Sequence, residues 1–305
     1  MVCKESFAGC FLGLALGDAL GAPYEGGTLE RLLWRLIGKT GNGKKRYTDD
    51  TQMSLDVAES FCENKGINQD HLAGTFASNY KWSRGYGAGA AKILKKIKKG
   101  ARWQDTNRLI HPEGSYGNGA AMRAPVAALC FYGNEVEILA AVNKISVITH
   151  THPLAIEGAK LIALSVSSAL SQSNFDELFE KLLIDSELRK FQVRIEIARE
   201  WIENRKAVES TAVIKKLGNG VAAVDSCVTA IYIASRYIDE PFADMLGFIK
   251  KCSGDTDTIG AMAGAIWGAY NGINGLSRSD IEELESASRI EQLSLDLFNR
   301  YGEIY

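Results

Sequence analysis

Apolar residues recur at helical spacing along most of the chain, and no segment alternates apolar and polar residues over the length of a strand. One apolar stripe follows Asp49 and Asp50, on a helix that Asp50 or Thr51 could cap. Because no linker or internal repeat divides the chain, the pattern predicts an all-α fold in a single domain, residues 1–305. The predicted helices span 5–20, 50–64, 69–82, 87–99, 119–131, 134–148, 153–171, 175–184, 187–204, 220–236, 241–251, 257–270 and 279–300.

Glycines repeat at every fourth position in the first predicted helix and in the helix that begins near residue 257. They are Gly9, Gly13 and Gly17 in the first helix and Gly260, Gly264 and Gly268 in the second. Each glycine inside a helix costs about 1 kcal/mol relative to alanine, so a row of them indicates that another backbone lies close against it. We therefore expect these two helices to pack together. That contact would draw the turn at 254–258 toward the first helix and the loop that carries Glu25.

The composition and the net charge indicate which binding partners and which cellular compartment to expect. The 305 residues are 46% hydrophobic, enough for a large core, and a net charge of −2 with a pI near 6.2 gives no general attraction to nucleic acid or anionic membranes. Six cysteines without paired or metal-binding spacing predict free thiols in a reducing cytoplasm. Glycines and Asp18 interrupt the apolar stretch at 7–20, which argues against a signal peptide. We expect a cytoplasmic monomer that binds neither nucleic acid nor membrane.

Two acidic segments, about two hundred residues apart, have the composition of a metal site. They are Tyr47-Thr48-Asp49-Asp50-Thr51 and Gly254-Asp255-Thr256-Asp257-Thr258, and each lies where a loop leads into a helix. Aspartate and threonine side chains offer only oxygen ligands, which Mg²⁺ and Mn²⁺ prefer. Four aspartates at one point repel by about 4 kcal/mol per pair, so we predict two divalent ions that neutralise them. Thr48 and Thr258 could add hydroxyl ligands.

Helix capping is the alternative role for these aspartates. Aspartate often caps a helix N-terminus, and capping alone would explain Asp50, Asp255 or Asp257 taken one at a time. It does not explain why both segments carry two carboxylates in the same arrangement, so we favour the metal site. Asp18 is predicted to be structural. Glu25, by contrast, follows the glycine-rich helix closely enough to act as a ligand, an acid or a base.

Two glycine-rich segments, 85–89 and 114–119, precede predicted helices and indicate a phosphate-containing ligand. Glycines let backbone N–H groups approach a phosphate at a helix N-terminus. Each segment also contains a tyrosine, Tyr86 or Tyr116, that could stack on a base. A nucleotide-like ligand is therefore our hypothesis.

The histidines at positions 150 and 152 do not have metal-binding spacing, because residues two positions apart do not face the same side of a helix. We expect His150 to make a polar contact with the ligand. His152, next to Pro153, is expected to start a helix. His71 and His111 carry no site-specific signal.

Seven segments, in order across residues 7–270, resemble the motifs of the ADP-ribosylglycohydrolases. They are GCFLGLALGDALGAPYEG, YTDDT, RGYGAG, GSYGNGAAMR, ITHTHP, LGNGVAAVDS and SGDTDTIGAMAGAIWGA. This resemblance implies a compact orthogonal helical bundle with a binuclear Mg²⁺ centre, for which Mn²⁺ is an alternative ion. The segments GSYGNG and RGYGAG are most similar to the branch that removes ADP-ribose from serine and also cleaves poly(ADP-ribose) and O-acetyl-ADP-ribose.

The resemblance also implies roles for individual residues. Thr48, Asp49 and Asp50 would bind one ion, Asp255 and Thr258 the other, and Asp257 would bridge them. Glu25 matches a flexible-loop glutamate that contacts metal or substrate. The ligand wall would comprise Gly87, Gly114, Ser115, Tyr116, Gly117, His150, Gly220 and Val221. Within it, 114–117 would hold the diphosphate and distal ribose, with the aromatic ring against adenine.

We hypothesise hydrolysis of the bond between C1″ of ADP-ribose and an acceptor oxygen, on an ADP-ribosylated protein or a small molecule. The ions would bind the ribose 2″ and 3″ hydroxyls, while Glu25, Asp49 and Asp257 would stabilise developing positive charge and move the proton. An arginine-specific hydrolase is one alternative. A non-catalytic ADP-ribose binder and a metal-dependent phosphohydrolase are two others.

Overall fold

Seventeen α-helices make up most of the computed structural model, which describes residues 2–205 and 207–304. Within these ranges, β-type pairing is limited to three isolated bridges. The helices are α1 (Lys4–Gly21), α2 (Thr28–Ile37), α3 (Asp49–Asn64), α4 (Gln69–Asn79), α5 (Ala88–Ile97), α6 (Trp103–Thr106), α7 (Ala124–Cys130), α8 (Glu135–Ser146), α9 (Pro153–Leu170), α10 (Phe175–Asp185), α11 (Arg189–Glu203), α12 (Ser210–Lys216), α13 (Cys227–Arg236), α14 (Phe242–Cys252), α15 (Thr256–Asn271), α16 (Arg278–Glu283) and α17 (Ala287–Ile304). The predicted all-α class is confirmed.

Several helix boundaries differ from the prediction. Helices α2, α6 and α12 were not expected, and the last two are too short to show a periodic pattern. The predicted helix 119–131 begins as a 3₁₀ helix, Asn118–Arg123, and becomes α-helical at Ala124. The predicted helix 220–236 begins only at Cys227. The predicted helix 279–300 is divided into α16 and α17, because Ser286 between them has a left-handed backbone with φ +56°.

Helices α1 and α15 touch along their glycine rows. A Cβ atom added to any of the six glycines would lie closer than 3.0 Å to a backbone carbonyl oxygen of the opposite helix. Side chains cannot fit at that separation, so the close contact requires glycine on both helices. The facing pairs are Gly9 with Gly268, Gly13 with Gly264 and Gly17 with Gly260. The predicted packing of these two helices is confirmed, and the order of the pairs shows that the helices are antiparallel.

The antiparallel arrangement determines where the two acidic regions meet. The C-terminal end of α1 lies against the N-terminal end of α15, where a Cβ atom on Gly21 would collide with the backbone of Thr256. The loop after α1 carries Glu25, and Gly26 N in that loop donates to Gly254 O at 3.4 Å. The loop is therefore held beside the second acidic segment, as expected from the glycine rows.

Two segments, Lys4–Tyr24 and Pro153–Leu170, have the length and hydropathy of membrane spans. In the folded chain, 89% of an 18-residue window of the first segment and 67% of the second segment are buried inside the protein. Core helices of globular proteins have the same length and composition. The cysteines at all six positions are unpaired, as their spacing predicts.

Candidate functional site

The first acidic segment is held in place by a buried aspartate of α1. Asp18 is fully buried, and its carboxylate accepts hydrogen bonds from Thr48 N and Thr51 N, both at 3.0 Å, and from Thr51 Oγ1 at 2.6 Å. Thr48 caps α3, accepting a bond from Asp50 N at 3.3 Å, so the expectation that Asp50 or Thr51 is the cap is wrong. Because Thr48 caps the helix, the carboxylates of Asp49 and Asp50 are available to line a cavity.

The second acidic segment turns sharply before α15. Gly254 has φ +78°, and a Cβ atom there would collide with the backbone of Asn219, so glycine is required on both grounds. Asp255 N donates to Asn219 O at 2.9 Å, and Asp255 Oδ2 accepts from Asn118 Nδ2 at 2.6 Å. Asp255 stands at the N-cap position of α15 but makes no side-chain capping bond. Asn118, from the glycine-rich segment, therefore helps to orient its carboxylate.

The two acidic segments meet in space. Thr258 Oγ1 donates to Asp50 Oδ1 at 3.4 Å and so joins one segment to the other. Two groups of three carboxylates have oxygens within 4.8 Å of one another: Asp18, Asp50 and Asp257 form the first, and Glu25, Asp255 and Asp257 the second. Asp257 belongs to both groups. Asp18, which the sequence predicts to be structural, is a member of the first group.

The surroundings of these carboxylates disfavour negative charge. Burial raises the pKa of Asp49, Asp50 and Asp257 well above the ordinary value, and neighbouring carboxylates raise it further. Burial also raises the pKa of Asp255. Asp50 Oδ2 is buried and has no hydrogen-bond partner among the described residues. Oxygen donors that repel one another in this way could hold a metal ion, because a divalent cation would supply the compensating charge.

The acidic segments form part of the wall of a cavity of about 220 Å³. The N-terminal end of α5, the 114–119 segment and the residues around positions 150 and 221 complete it. The lining includes Glu25, Asp49, Asp50, Asp255, Asp257 and Thr258 from the acidic set, and Gly87, Ser115, Gly117, His150 and Val221 from the predicted ligand wall. Residues expected to hold ions and residues expected to hold a ligand therefore face the same space.

Four of the predicted site residues do not line this cavity. Thr48 is buried behind it as the cap of α3. Gly114, with φ +92°, turns the chain at the start of the glycine-rich segment. Tyr116 is 54% exposed, with its ring centroid 6.4 Å from that of His111. Gly220 lies in the neighbouring loop. These residues shape or flank the cavity.

Several cavity residues were missing from the sequence-based prediction. Asn118, His111, Met53, Met122 and Arg123 all contribute to the lining. A signal existed for one of them, because Arg123 is the only charged residue between positions 114 and 134. Asn118 stands inside the glycine-rich segment, but its bond to an aspartate 137 positions away is not visible in the sequence.

The two glycine-rich segments differ from their expected roles. Tyr86 is buried against Tyr80, with ring centroids 4.9 Å apart, so the expectation that it stacks on a ligand base is wrong. Gly87 does stand at the N-cap of α5, whereas 114–119 leads into a 3₁₀ helix instead of an α-helix. His152 starts α9 as expected, because its Nδ1 accepts a backbone bond from the first turn at 3.1 Å.

Two larger grooves, of about 940 and 920 Å³, lie elsewhere on the protein. One is formed around α16 and the start of α17, and the other by the ends of α9, α11, α13 and α15. Neither contains a residue of the acidic segments. The smaller cavity is the better candidate site, because the carboxylates with raised pKa converge there.

Comparisons with known proteins identify the family of the chain. The chain matches the model of the ADP-ribosylglycohydrolase family over residues 2–304. It is 31% identical to ADP-ribosylhydrolase ARH3 of Danio rerio over 97% of this chain and 90% of that protein, and 31% identical to ADP-ribosylhydrolase ARH3 of Homo sapiens over 95% and 92%. A solved structure described as an ADP-ribosylglycohydrolase-related protein complex superimposes on this chain with a TM-score of 0.73. The superposition covers 97% of this chain and 98% of the other chain, and at 22% sequence identity it shows a shared fold.

Proposed function

Because the chain belongs to the ADP-ribosylglycohydrolase family, it is a hydrolase acting on ADP-ribose, and we propose that it removes ADP-ribose from serine-modified proteins with two Mg²⁺ ions as cofactors. Poly(ADP-ribose) and O-acetyl-ADP-ribose are further proposed substrates. The observation that carries the proposal is the convergence of two distant acidic segments on one cavity that also has glycine-rich walls.

The residues proposed to hold the ions are Thr48, Asp49, Asp50, Asp255, Asp257 and Thr258. Their oxygen-only chemistry, their mutual repulsion and the unpartnered Oδ2 of Asp50 support divalent cations there. The presence of Asp257 in both carboxylate groups supports two ions. When bound, the ions would orient the ribose hydroxyls and offset the charge of the carboxylates.

The protein's own side chains would supply the remaining chemistry. As the bond from C1″ to the acceptor oxygen breaks, positive charge grows on the ribose ring, and the carboxylates of Asp49 and Asp257 would stabilise it. A water oxygen forms the new bond to C1″. Glu25, which lines the cavity, would take a proton from that water and return it to the departing acceptor oxygen.

The choice of serine as acceptor is supported by two segments of the cavity wall. Residues 84–89 and 114–119 resemble the corresponding segments of the serine-specific branch, and Gly87, Ser115 and Gly117 from these segments line the cavity. An arginine-specific hydrolase is the second candidate, because the ion-binding residues alone do not distinguish the two acceptors.

Incubation with serine-linked, arginine-linked and poly(ADP-ribose) substrates, followed by chromatography of the products, tests the proposal. We expect intact ADP-ribose from the serine-linked substrate. Asp257→Asn should reduce turnover by about 100-fold or more, because it removes a charge shared by both carboxylate groups. Asp280→Asn is the matched control: it removes a surface carboxylate 2.9 Å from Lys45 and should keep the wild-type rate.

Each alternative function has a distinct outcome in the same experiment. Release of AMP would identify a phosphohydrolase, and release from the arginine-linked substrate alone would overturn the choice of serine. Binding of ADP-ribose without turnover of any substrate would identify a non-catalytic relative. Wild-type turnover by Asp257→Asn would contradict the assigned site.

A further inference from the structure

Arg123 is fully buried beside the cavity, and its guanidinium is held in a fixed orientation. Nη1 donates to Gly119 O at 2.5 Å, and Nη2 donates to Ile145 O at 3.2 Å. Nη2 also donates to Thr149 Oγ1 at 2.8 Å. The guanidinium carbon lies 5.1 Å from the centre of the Phe76 ring. A positive charge is thus held in direct hydrogen-bonding contact with Thr149.

The hydroxyl of Thr149 connects Arg123 to His150. Thr149 is buried, and its Oγ1 lies 2.7 Å from His150 Nδ1. A guanidinium can only donate, so Thr149 Oγ1 accepts from Arg123 and needs an acceptor for its own hydrogen. Among the described residues, His150 Nδ1 is the only acceptor in contact with it. Because a buried hydroxyl without an acceptor is costly, Thr149 donates to Nδ1.

His150 is neutral in these surroundings. Its side chain is buried, and the guanidinium of Arg123 lies on the far side of the Thr149 hydroxyl. Burial, together with the charge of Arg123, lowers the pKa of His150 to about 3. A neutral imidazole carries one proton, and Nδ1 is already an acceptor, so the proton is on Nε2.

The protonated nitrogen faces the glycine-rich wall of the cavity. A Cβ atom added to Gly117 or Gly119 would lie 3.5 Å or 2.9 Å from His150 Nε2, so this nitrogen lies beside the two glycines, and all three residues line the cavity. Within the part of the chain that the structure describes, Nε2 has no hydrogen-bond partner. It is therefore an N–H donor available to a ligand oxygen.

We propose that Arg123 and Thr149 are positioning residues that hold His150 as its Nε2–H tautomer, so that the nitrogen facing the cavity donates to an anionic oxygen of the ADP-ribose diphosphate. This inference rests on the proposed function and specifies how its site recognises phosphate. Without the Thr149 hydroxyl, the imidazole would populate both tautomers. The Nδ1–H tautomer would present a lone pair to the anionic oxygen and repel it.

Nitrogen-15 NMR of histidine-labelled protein measures the tautomer in the wild type. The chain has four histidines, and the His150→Gln variant identifies the His150 signal by its loss. We expect a protonated Nε2 and an unprotonated Nδ1. A proton on Nδ1 would overturn the proposal without any need for a folded variant at position 149.

The Thr149→Val variant removes the hydroxyl but keeps the branched shape of the side chain. We expect mixed His150 tautomers and about tenfold weaker binding of ADP-ribose by calorimetry, and Thr149→Ser should restore both. Thr106→Val is the matched control, because within the described part of the chain this buried hydroxyl bonds only to carbonyls of its own turn, those of Arg102 and Trp103. Its affinity for ADP-ribose should equal that of the wild type.

Failure of this inference and failure of the proposed function give different results. If the wild type binds ADP-ribose and Thr149→Val binds it equally well with an unchanged His150 tautomer, the positioning role is wrong. If the wild type has the expected tautomer but binds no ADP-ribose, the proposed function is wrong and the proposed phosphate contact fails with it.

Discussion

Three buried aspartates near the site differ in what surrounds their carboxylates. Asp18 accepts from two backbone N–H groups and a hydroxyl, which hold the start of α3 in place, although burial raises the pKa of its carboxyl. Asp50, in the acidic cluster, has one oxygen for which the described chain offers no hydrogen-bond partner. Asp56, on the same helix as Asp50, accepts from Gln52 Nε2 at 3.0 Å and Asn79 Nδ2 at 2.7 Å, but its other oxygen has no partner among the residues that the structure describes. The same residue type is therefore structural, ligand-like or proton-binding according to its surroundings.

Asp56 should make the stability of the protein depend on pH. Burial raises its pKa from 3.8 to about 7, so the folded chain binds this proton more tightly than the unfolded chain. The resulting stabilisation is complete below about pH 4 and is lost as the pH rises through about 7. Asp56→Asn cannot titrate and does not lose this stabilisation. As the pH rises over that range, its free energy of unfolding should therefore increase relative to that of the wild type by up to roughly 4 kcal/mol.

Urea unfolding of both proteins at several pH values measures this difference. The site carboxylates are the same in both chains, so their own titration cancels in the comparison. Parallel dependence of the two unfolding free energies on pH would show that Asp56 does not titrate in this range.

At the scale of elements, the contact between α1 and α15 positions two parts of the site relative to each other. It brings together two backbones where side chains would normally separate them, and it places the loop of Glu25 beside the second acidic segment. Glycine in the middle of a helix lowers helix propensity, so the close packing must offset that cost. Only one end of the helix pair faces the cavity, so most of the glycine row serves packing.

Gly264→Ala should destabilise the protein strongly. Its added methyl group would collide with the carbonyl oxygen of Gly13, a backbone atom that cannot move aside, and we expect a loss of about 3 kcal/mol or more in the free energy of unfolding. Gly74→Ala, in α4, is the control, because no described atom other than the nearby backbone of α4 itself lies within 4 Å of the added Cβ. This variant should gain up to about 1 kcal/mol from better helix propensity. Equal stability of the two variants in denaturant unfolding would refute the backbone contact.

At the scale of the whole molecule, the site exists only in the folded chain. Its residues come from the loop after α1, the start of α3, the start of α5, the 114–119 segment, the start of α15 and the residues around positions 150 and 221. Bringing these carboxylates together costs free energy, because they are removed from water and repel one another. A cation that binds only the folded state would offset that cost.

Removal of divalent ions should therefore lower the melting temperature, and added Mg²⁺ should restore it. At an ion concentration about 100 times the dissociation constant, one site contributes about 2.7 kcal/mol to the free energy of unfolding. In Asp257→Asn the gain on adding Mg²⁺ should shrink, because one of the converging charges is missing. An unchanged wild-type melting temperature after complete chelation would argue against metal binding.

The sequence by itself determined the features that depend on local pattern. Helical spacing predicted the all-α class, and glycines at every fourth position predicted the packing of α1 on α15. The acidic segments were recognisable because each places two carboxylates beside a helix start. Short helices such as α6 and α12 were missed, since a few residues contain too little of the pattern.

Only the tertiary structure decided which side-chain atoms meet. It buried Tyr86 in the core, brought Asp18 to the acidic cluster and linked Arg123 through Thr149 to His150. Such contacts join distant positions: Thr258 and Asp50 are 208 residues apart. Local pattern specifies elements and residue types, whereas hydrogen-bond partners, proton positions and pKa values depend on how those elements pack.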